Sequence, residues 1–363
     1  DLDRVIEFLP TDADMDLRLS TGHGLTSPEL AVLMAYAKIT LTTDLTGSSL
    51  GSEPWFSSLL RGYFPEPIVA QFGDRLDSHP LRSQIITTVV SNDMINDGGS
   101  TFVFRAAEET GAGAVEIARA YIVAREVFGL QNFWDRIASL DNQIATDAQT
   151  AMYLESRRLL DRATRWVIMA RGGRVDVAAE ISRIGDDLVR MAAEVPNFLV
   201  GIEHDRLVRR TDELVALGAP PELAVETASL LDAYGLLDVV EVARLTGSDP
   251  RDVARLYFVL SERYEVDIML SRITQLPRDD RWGSLARMAL RSDLYGALSG
   301  LTRTVVEATP GLSDPAVRVE IWESHQAEGL ARAKATLDEI AALETFDVAT
   351  LSVALRTIRT LVR

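Results

Sequence analysis

Apolar positions recur every three to four residues almost from one end of the chain to the other, and no stretch alternates apolar and polar residues long enough to make a strand. Ser27-Pro28-Glu29 marks the clearest start: serine caps, proline fits the first helical turn, and glutamate suits the positive end of the helix dipole. That helix is predicted to run to about residue 45, with Gly47 stopping it. Further helices are predicted over 54–62, 66–76, 80–96, 101–110, 114–128, 131–140, 142–171 and 176–193. The pattern continues over 197–217, 221–233, 236–245, 249–275, 280–308, 313–343 and 347–362, most of these bounded by glycine or proline. Val5, Ile6, Phe8 and Leu9 read as part of a helix that the chain enters midway, as in a piece excised from a longer polypeptide. The expected fold is all-α, an irregular multi-helix bundle of about fifteen helices with no sheet and no fixed solenoid repeat. Segments 1–26, 27–172 and 173–363 divide it, the second break falling softly at Gly172-Gly173, where nothing has linker composition.

The composition narrows the function. A net charge of −17 over 363 residues makes nucleic acid and anionic membranes poor partners. The longest apolar run, Leu30 to Ala37, is far short of the ~20 residues a membrane-spanning helix needs. The absence of cysteine rules out a disulfide scaffold, a thiol nucleophile and a cysteine zinc site, and agrees with a cytoplasmic location.

Several motifs resemble chemistry without its frame. Gly47-Ser48-Ser49-Leu50-Gly51 matches the G-x-S-x-G nucleophile elbow, but that elbow needs a strand before it and a helix precedes it here. Gly111-Ala112-Gly113-Ala114-Val115-Glu116 begins like a dinucleotide fingerprint, then places glutamate at the third glycine position and follows a helix, so a helix stop and restart is expected. The histidines His23, His79, His204 and His325 never share a helix face, and no metal site is expected. Lys38 ends an apolar helix that looks buried almost all round; either it is a desolvated amine or its stem lies along apolar surface with the ammonium in water, the commoner case.

Two polar groupings remain as candidates. Ile85, Val89, Asn92 and Asn96 fall on one face, which predicts partly buried amides partnered by Arg105, Glu108 and Glu109 on the next helix, as a structural network or as an interface to another domain. Arg158, Arg162 and Arg165 line one helix face as a candidate anion site, and Arg356, Arg359 and Arg363 form a similar stripe opposite the apolar Leu351, Leu355, Ile358 and Val362. With 54 acidic residues in the chain, most of these guanidinium groups are expected to find internal partners.

From Gly24-Leu25-Thr26-Ser27-Pro28-Glu29-Leu30 through Tyr36-Ala37-Lys38 the sequence resembles the region that follows the catalytic domain in the large NAD-specific glutamate dehydrogenases of bacteria. The likeness continues at Tyr63-Phe64-Pro65 and His79-Pro80-Leu81-Arg82, and is strongest along Asn92-Asp93-Met94-Ile95-Asn96-Asp97-Gly98-Gly99 and Phe102-Val103-Phe104-Arg105. Arg157-Arg158-Leu159-Leu160-Asp161-Arg162 and Arg281-Trp282 extend it. The resemblance implies oxidative deamination of L-glutamate to 2-oxoglutarate and ammonia with NAD as hydride acceptor in the full-length protein. Its substrate lysines, catalytic aspartate and nucleotide-binding sheet lie upstream in that family. No residue of this chain matches them, so no catalytic, cofactor-binding or metal residue is carried over. Residues 1–26 then lead from the catalytic domain, and the implied partners are that domain and other subunits of a homo-oligomer. Two rivals are a freestanding helical protein-interaction module and a regulatory domain for a small anion.

Overall fold

The computed structural model of the chain describes residues 2–172, 174–277 and 280–362. Among them the fold is all-α: twenty α-helices, two single 3-10 turns at Leu50–Ser52 and Pro54–Phe56, and no strand. The helices divide into two compact units, Asp1–Val123 with Val167–Ala178, and Ala124–Trp166 with Ala179–Arg363. Gly172 closes a helix with a positive φ, while Gly173, the other half of the expected break, lies outside the described residues.

The first unit contains α1 (Asp12–Ser20), α2 (Ser27–Thr46), α3 (Ser57–Tyr63), α4 (Glu66–Leu76), α5 (Arg82–Gly98), α6 (Phe102–Thr110) and the greater part of α7 (Ala114–Val127). Helix α5 is its axis, with α2, α3 and the Leu50–Ser52 turn packed on it. The buried face of α5 carries Ile86, Val90, Met94 and Ile95. Thr87 and Ser91 lie on it at no polar cost, because each hydroxyl donates to a carbonyl one turn back on its own helix, at 2.9 and 2.7 Å. Thr87 also meets Thr46 of α2, 2.9 Å between hydroxyl oxygens. Gly51 lets the turn lie directly on α5: a Cβ there would clash with Ser83, standing 2.6 Å from its Cα. Arg82 then holds the turn, donating to the carbonyls of Gly51 and Glu53 and to the Ser57 hydroxyl.

The second unit contains α8 (Leu130–Ala138), most of α9 (Thr146–Arg171) and α10 (Val177–Ala192), then α11 (Val195–Phe198), α12 (Gly201–Ala216) and α13 (Pro221–Ala233). It continues with α14 (Leu236–Thr246), α15 (Pro250–Arg263), α16 (Val266–Gln275), α17 (Arg281–Ala308), α18 (Pro315–Ser324), α19 (Ala327–Ala341) and α20 (Val348–Thr360). The long helix α17 is the shared wall, packing against α14, α15, α16, α18 and α20. Leu294, Leu298, Leu301 and Val305 form its buried seam. Gly235 admits the Tyr257 ring, whose Cε1 would be 3.0 Å from an added Cβ.

Four local expectations are corrected. Residues 4–8 form turns and no helix: Asp3 Oδ1 accepts from the amides of Val5 and Ile6, Phe8 has φ 53°, and Pro10 disfavours helical geometry at Leu9. The expected 249–275 helix breaks into α15 and α16 at Tyr264-Glu265, where Glu265 adopts φ 56°. The expected 313–343 helix breaks into α18 and α19 at His325-Gln326. Tertiary contacts account for these breaks without glycine or proline: Arg263 and Tyr264 both donate to Glu323, and the Tyr264 ring meets Trp322 edge-on at 6.3 Å. Finally, α2 is not buried all round, since only Leu41 and Leu45 are buried within the chain.

Candidate functional site

The structure handles the two sequence-marked groupings differently. On α5 the core takes the Ile86, Val90 and Met94 side, which turns Asn92 to a half-buried position and leaves Asn96 exposed, contrary to the burial expected of it. On α6, Arg105 donates from Nε to Thr101 Oγ1 of its own N-terminal turn at 3.3 Å. Arg105 and Glu109 are half-buried and Glu108 is exposed. At the end of α5, Asp97 accepts from the hydroxyl of the fully buried Tyr121 on α7. Tyr121 lies 24 residues away in the chain, beyond the reach of a helix-periodicity argument.

The Gly111–Gly113 loop joins α6 to α7, as its sequence implies: Gly111 takes a left-handed conformation and its amide donates to Ala107. A dinucleotide phosphate does not suit it. Glu116 already directs its carboxylate to the α7 N-terminus, 3.1 Å from where a Gly113 Cβ would stand, and no strand precedes the loop. Ser48 and Ser49 both precede the 3-10 turn, and Ser49 accepts from Arg119 at 3.3 Å, so neither hydroxyl stands on an elbow. Lys38 is half-exposed on α2. No group of three histidine or carboxylate side chains suited to a metal occurs among the described residues.

The α9 stripe disperses. Arg158 is exposed and pairs with Glu155 at 2.8 Å, one turn back. Arg165 is buried and folds onto Asp161, reaching its carbonyl at 2.8 Å and its carboxylate at 3.0 Å. Arg162 lies between them, half-buried, and faces a polar cluster drawn from α12, α13 and α17. In the C-terminal stripe, Arg359 pairs with Asp293 of α17 at 2.9 Å while Leu351, Leu355 and Ile358 are buried; Arg363 lies outside the described residues.

That cluster and its neighbour on α14 are the most unusual chemistry of the second unit. Desolvation raises the Asp232 carboxyl to about 6, even with the Arg206 and Arg162 charges nearby. Glu203 is 5% exposed; burial, with Asp232 and Asp267 near it, pushes its carboxyl well above the usual range. Its Oε1 accepts from Ser261 at 3.2 Å, and its Oε2 is buried without a partner. On α17, desolvation and the Arg162 charge lower Arg291 to about 10. Asp238, on α14, is raised by burial to about 7 although it accepts from Trp166 Nε1 at 2.8 Å. Arg206, Asp232 and Asp238 carried no sequence signal that separated them from surface charges. The spacing of Arg287, Arg291 and Tyr295 on one face of α17 was the available clue.

Among the described residues the fold is all-helical, and most of its buried hydroxyls donate to carbonyls of their own helix. The chain belongs to the family described as glutamate dehydrogenase, C-terminal, which matches residues 22–360. It is 37% identical over 363 residues to the NAD-specific glutamate dehydrogenase of Mycobacterium tuberculosis, covering 100% of this chain and 22% of that protein. The protein of the same name from Pseudomonas aeruginosa is 34% identical over 355 residues, covering 98% of this chain and 22% of the relative. A third, from Halomonas elongata, is 33% identical over 323 residues, covering 89% and 20%. The chain thus spans about a fifth of the length of the curated relatives it matches.

Proposed function

We propose that the chain works as the helical C-terminal region of a cytoplasmic NAD-specific glutamate dehydrogenase, in which L-glutamate and NAD react elsewhere in the polypeptide. Its role in this reading is architectural: it packs on the catalytic domain and supports assembly of the homo-oligomer. The observation that carries it is α2. Between Ser27 and Thr40 this helix is apolar on nearly every side, yet among the described residues none of its side chains there is fully buried. Leu30 is 45% exposed and Ile39, on the opposite side, is 61% exposed. A helix apolar all round normally lies inside a larger protein, so the catalytic domain is assigned as its cover.

Ile39→Glu tests this. In the 363-residue chain an exposed substitution of this kind changes stability within roughly 0.5 kcal/mol. In the full-length dehydrogenase it is expected to reduce glutamate-dependent NADH formation several-fold and to shift sedimentation toward smaller species. Unchanged turnover and sedimentation would remove the docking role. Glutamate-dependent NADH formation by the 363-residue chain alone would overturn the division of labour.

A further inference from the structure

Helices α17 and α20 run in the same direction: Arg359 pairs with Asp293 at 2.9 Å, and Val362 lies against Gly300, its Cγ1 2.9 Å from where a Gly300 Cβ would stand. Toward their N-terminal ends the pair opens into a groove of about 470 Å³, a volume suited to a small molecule. Ala286 and Ala289 keep it open, since each offers only a methyl group. Leu290 and Leu355, both buried, form its floor, and Val348, 40% exposed, lies on its α20 side. Trp282 continues the α17 side: positions 282, 286, 289 and 293 share one helix face, and Trp282 is 70% exposed.

The groove is apolar at one end and cationic at the other. The charged side chains that line it are Asp293, Arg356 and Arg359, a net +1 in a chain whose overall charge is −17. Arg359 and Asp293 neutralise each other, whereas Arg356 is exposed and makes no hydrogen bond or ion pair among the described residues. Ser352, also in the lining, donates its hydroxyl to the Val348 carbonyl at 2.6 Å, which leaves Arg356 to supply N–H donors to a ligand. The nearest acid along α20 is Asp347 at its N-terminus, engaged with the amide and hydroxyl of Thr350 and roughly 13 Å of helix away from Arg356. A guanidinium fork matches the planar oxygens of a carboxylate, and the apolar floor beside it suits a hydrocarbon body. From Ala286 to Asp293 the lining spans only about 10 Å of helix, too short for a docked helix of several turns. We propose that the groove between α17 and α20 binds a small amphipathic carboxylate, its apolar body on Ala289, Leu290 and Val348 and its carboxylate on Arg356. This is independent of the docking role of α2, which belongs to the other unit.

Calorimetric titration of the 363-residue chain with octanoate tests it, with acetate as the carboxylate that lacks an apolar body and ionic strength held constant by sodium chloride. The expected result is a saturable octanoate isotherm, with acetate at least about tenfold weaker. Arg356→Gln, which removes one charge-assisted pair, is expected to weaken octanoate about tenfold. Ala289→Glu, which sets an acid at an exposed position of the lining, is expected to abolish binding. The control Arg303→Gln, at an exposed arginine paired with Glu307, is expected to bind as the parent does. Circular dichroism establishes that each variant folds, and Ser352→Glu, also exposed, replaces Ala289→Glu should that variant not fold. Absence of saturable octanoate binding would overturn the site, as would acetate binding as tightly as octanoate. Binding that survives Arg356→Gln and the acidic substitution would place the ligand on other apolar surface and overturn it too. The full-length dehydrogenase is expected to show the same site; its loss there would mean that the rest of the polypeptide covers the groove, and would overturn the proposal.

Discussion

Asp238 shows what a single buried group does when its surroundings disfavour its charge. Its Oδ1 accepts from Trp166, its Oδ2 has no partner, and burial with the Glu241 charge nearby raises its carboxyl to about 7. The folded state therefore holds this proton at pH values where the unfolded chain has released it. Stability from this group is present below the unfolded value near 3.8 and is lost as pH rises through about 7. Asp238→Asn keeps an acceptor for Trp166 and removes the titration. Relative to the parent it is expected to be more stable at pH 8 by roughly 2 kcal/mol and to lose less stability between pH 5 and 8. Urea unfolding at the two pH values checks this; an unchanged pH slope would contradict it. Nothing in the pattern around Leu236-Leu237-Asp238-Val239-Val240 reveals this behaviour, because a lone acid in an apolar run reads as a solvent-facing position until its neighbours are known.

At the scale of elements, starts and stops were mostly legible and faces were not. Pro28, Pro221, Pro250 and Pro315 all fall in first turns, and Gly47, Gly111 and Gly247 all follow last ones, because these residues act through local backbone sterics. The face that α5 buries was misjudged because two adjacent apolar stripes compete on it, and packing by α2 and the Leu50–Ser52 turn chooses between them. Gly51 is where that choice is enforced. Gly51→Ala is expected to cost about 1–3 kcal/mol, since Ser83 cannot yield without moving the α5 backbone. Thermal unfolding followed by circular dichroism reads it, and an unshifted midpoint would show that the close approach is dispensable.

At the scale of the whole molecule, charge and apolar exposure act together. With a sequence pI near 4.7, the chain at pH 7 repels its own copies, although α2 presents apolar surface. Lowering the pH toward the pI removes that repulsion. Light scattering of the 363-residue chain is expected to rise steeply between about pH 5.5 and 4.7, and Ile39→Glu is expected to delay the rise. Equal scattering by parent and variant would place the adhesive surface elsewhere than on α2. No helix among the described residues is long and apolar enough to cross a membrane.

The helical class, most helix ends and the family were set by the sequence itself, since periodicity, caps and long motif runs act between residues near one another in the chain. Which side of α5 faces inward and where the predicted 249–275 and 313–343 helices break were decided by contacts across tens of residues. The approach of Arg162 and Arg206 to Asp232 arose in the same way. Such contacts exist only once packing has excluded water and set the low-dielectric surroundings that give buried charges their unusual character.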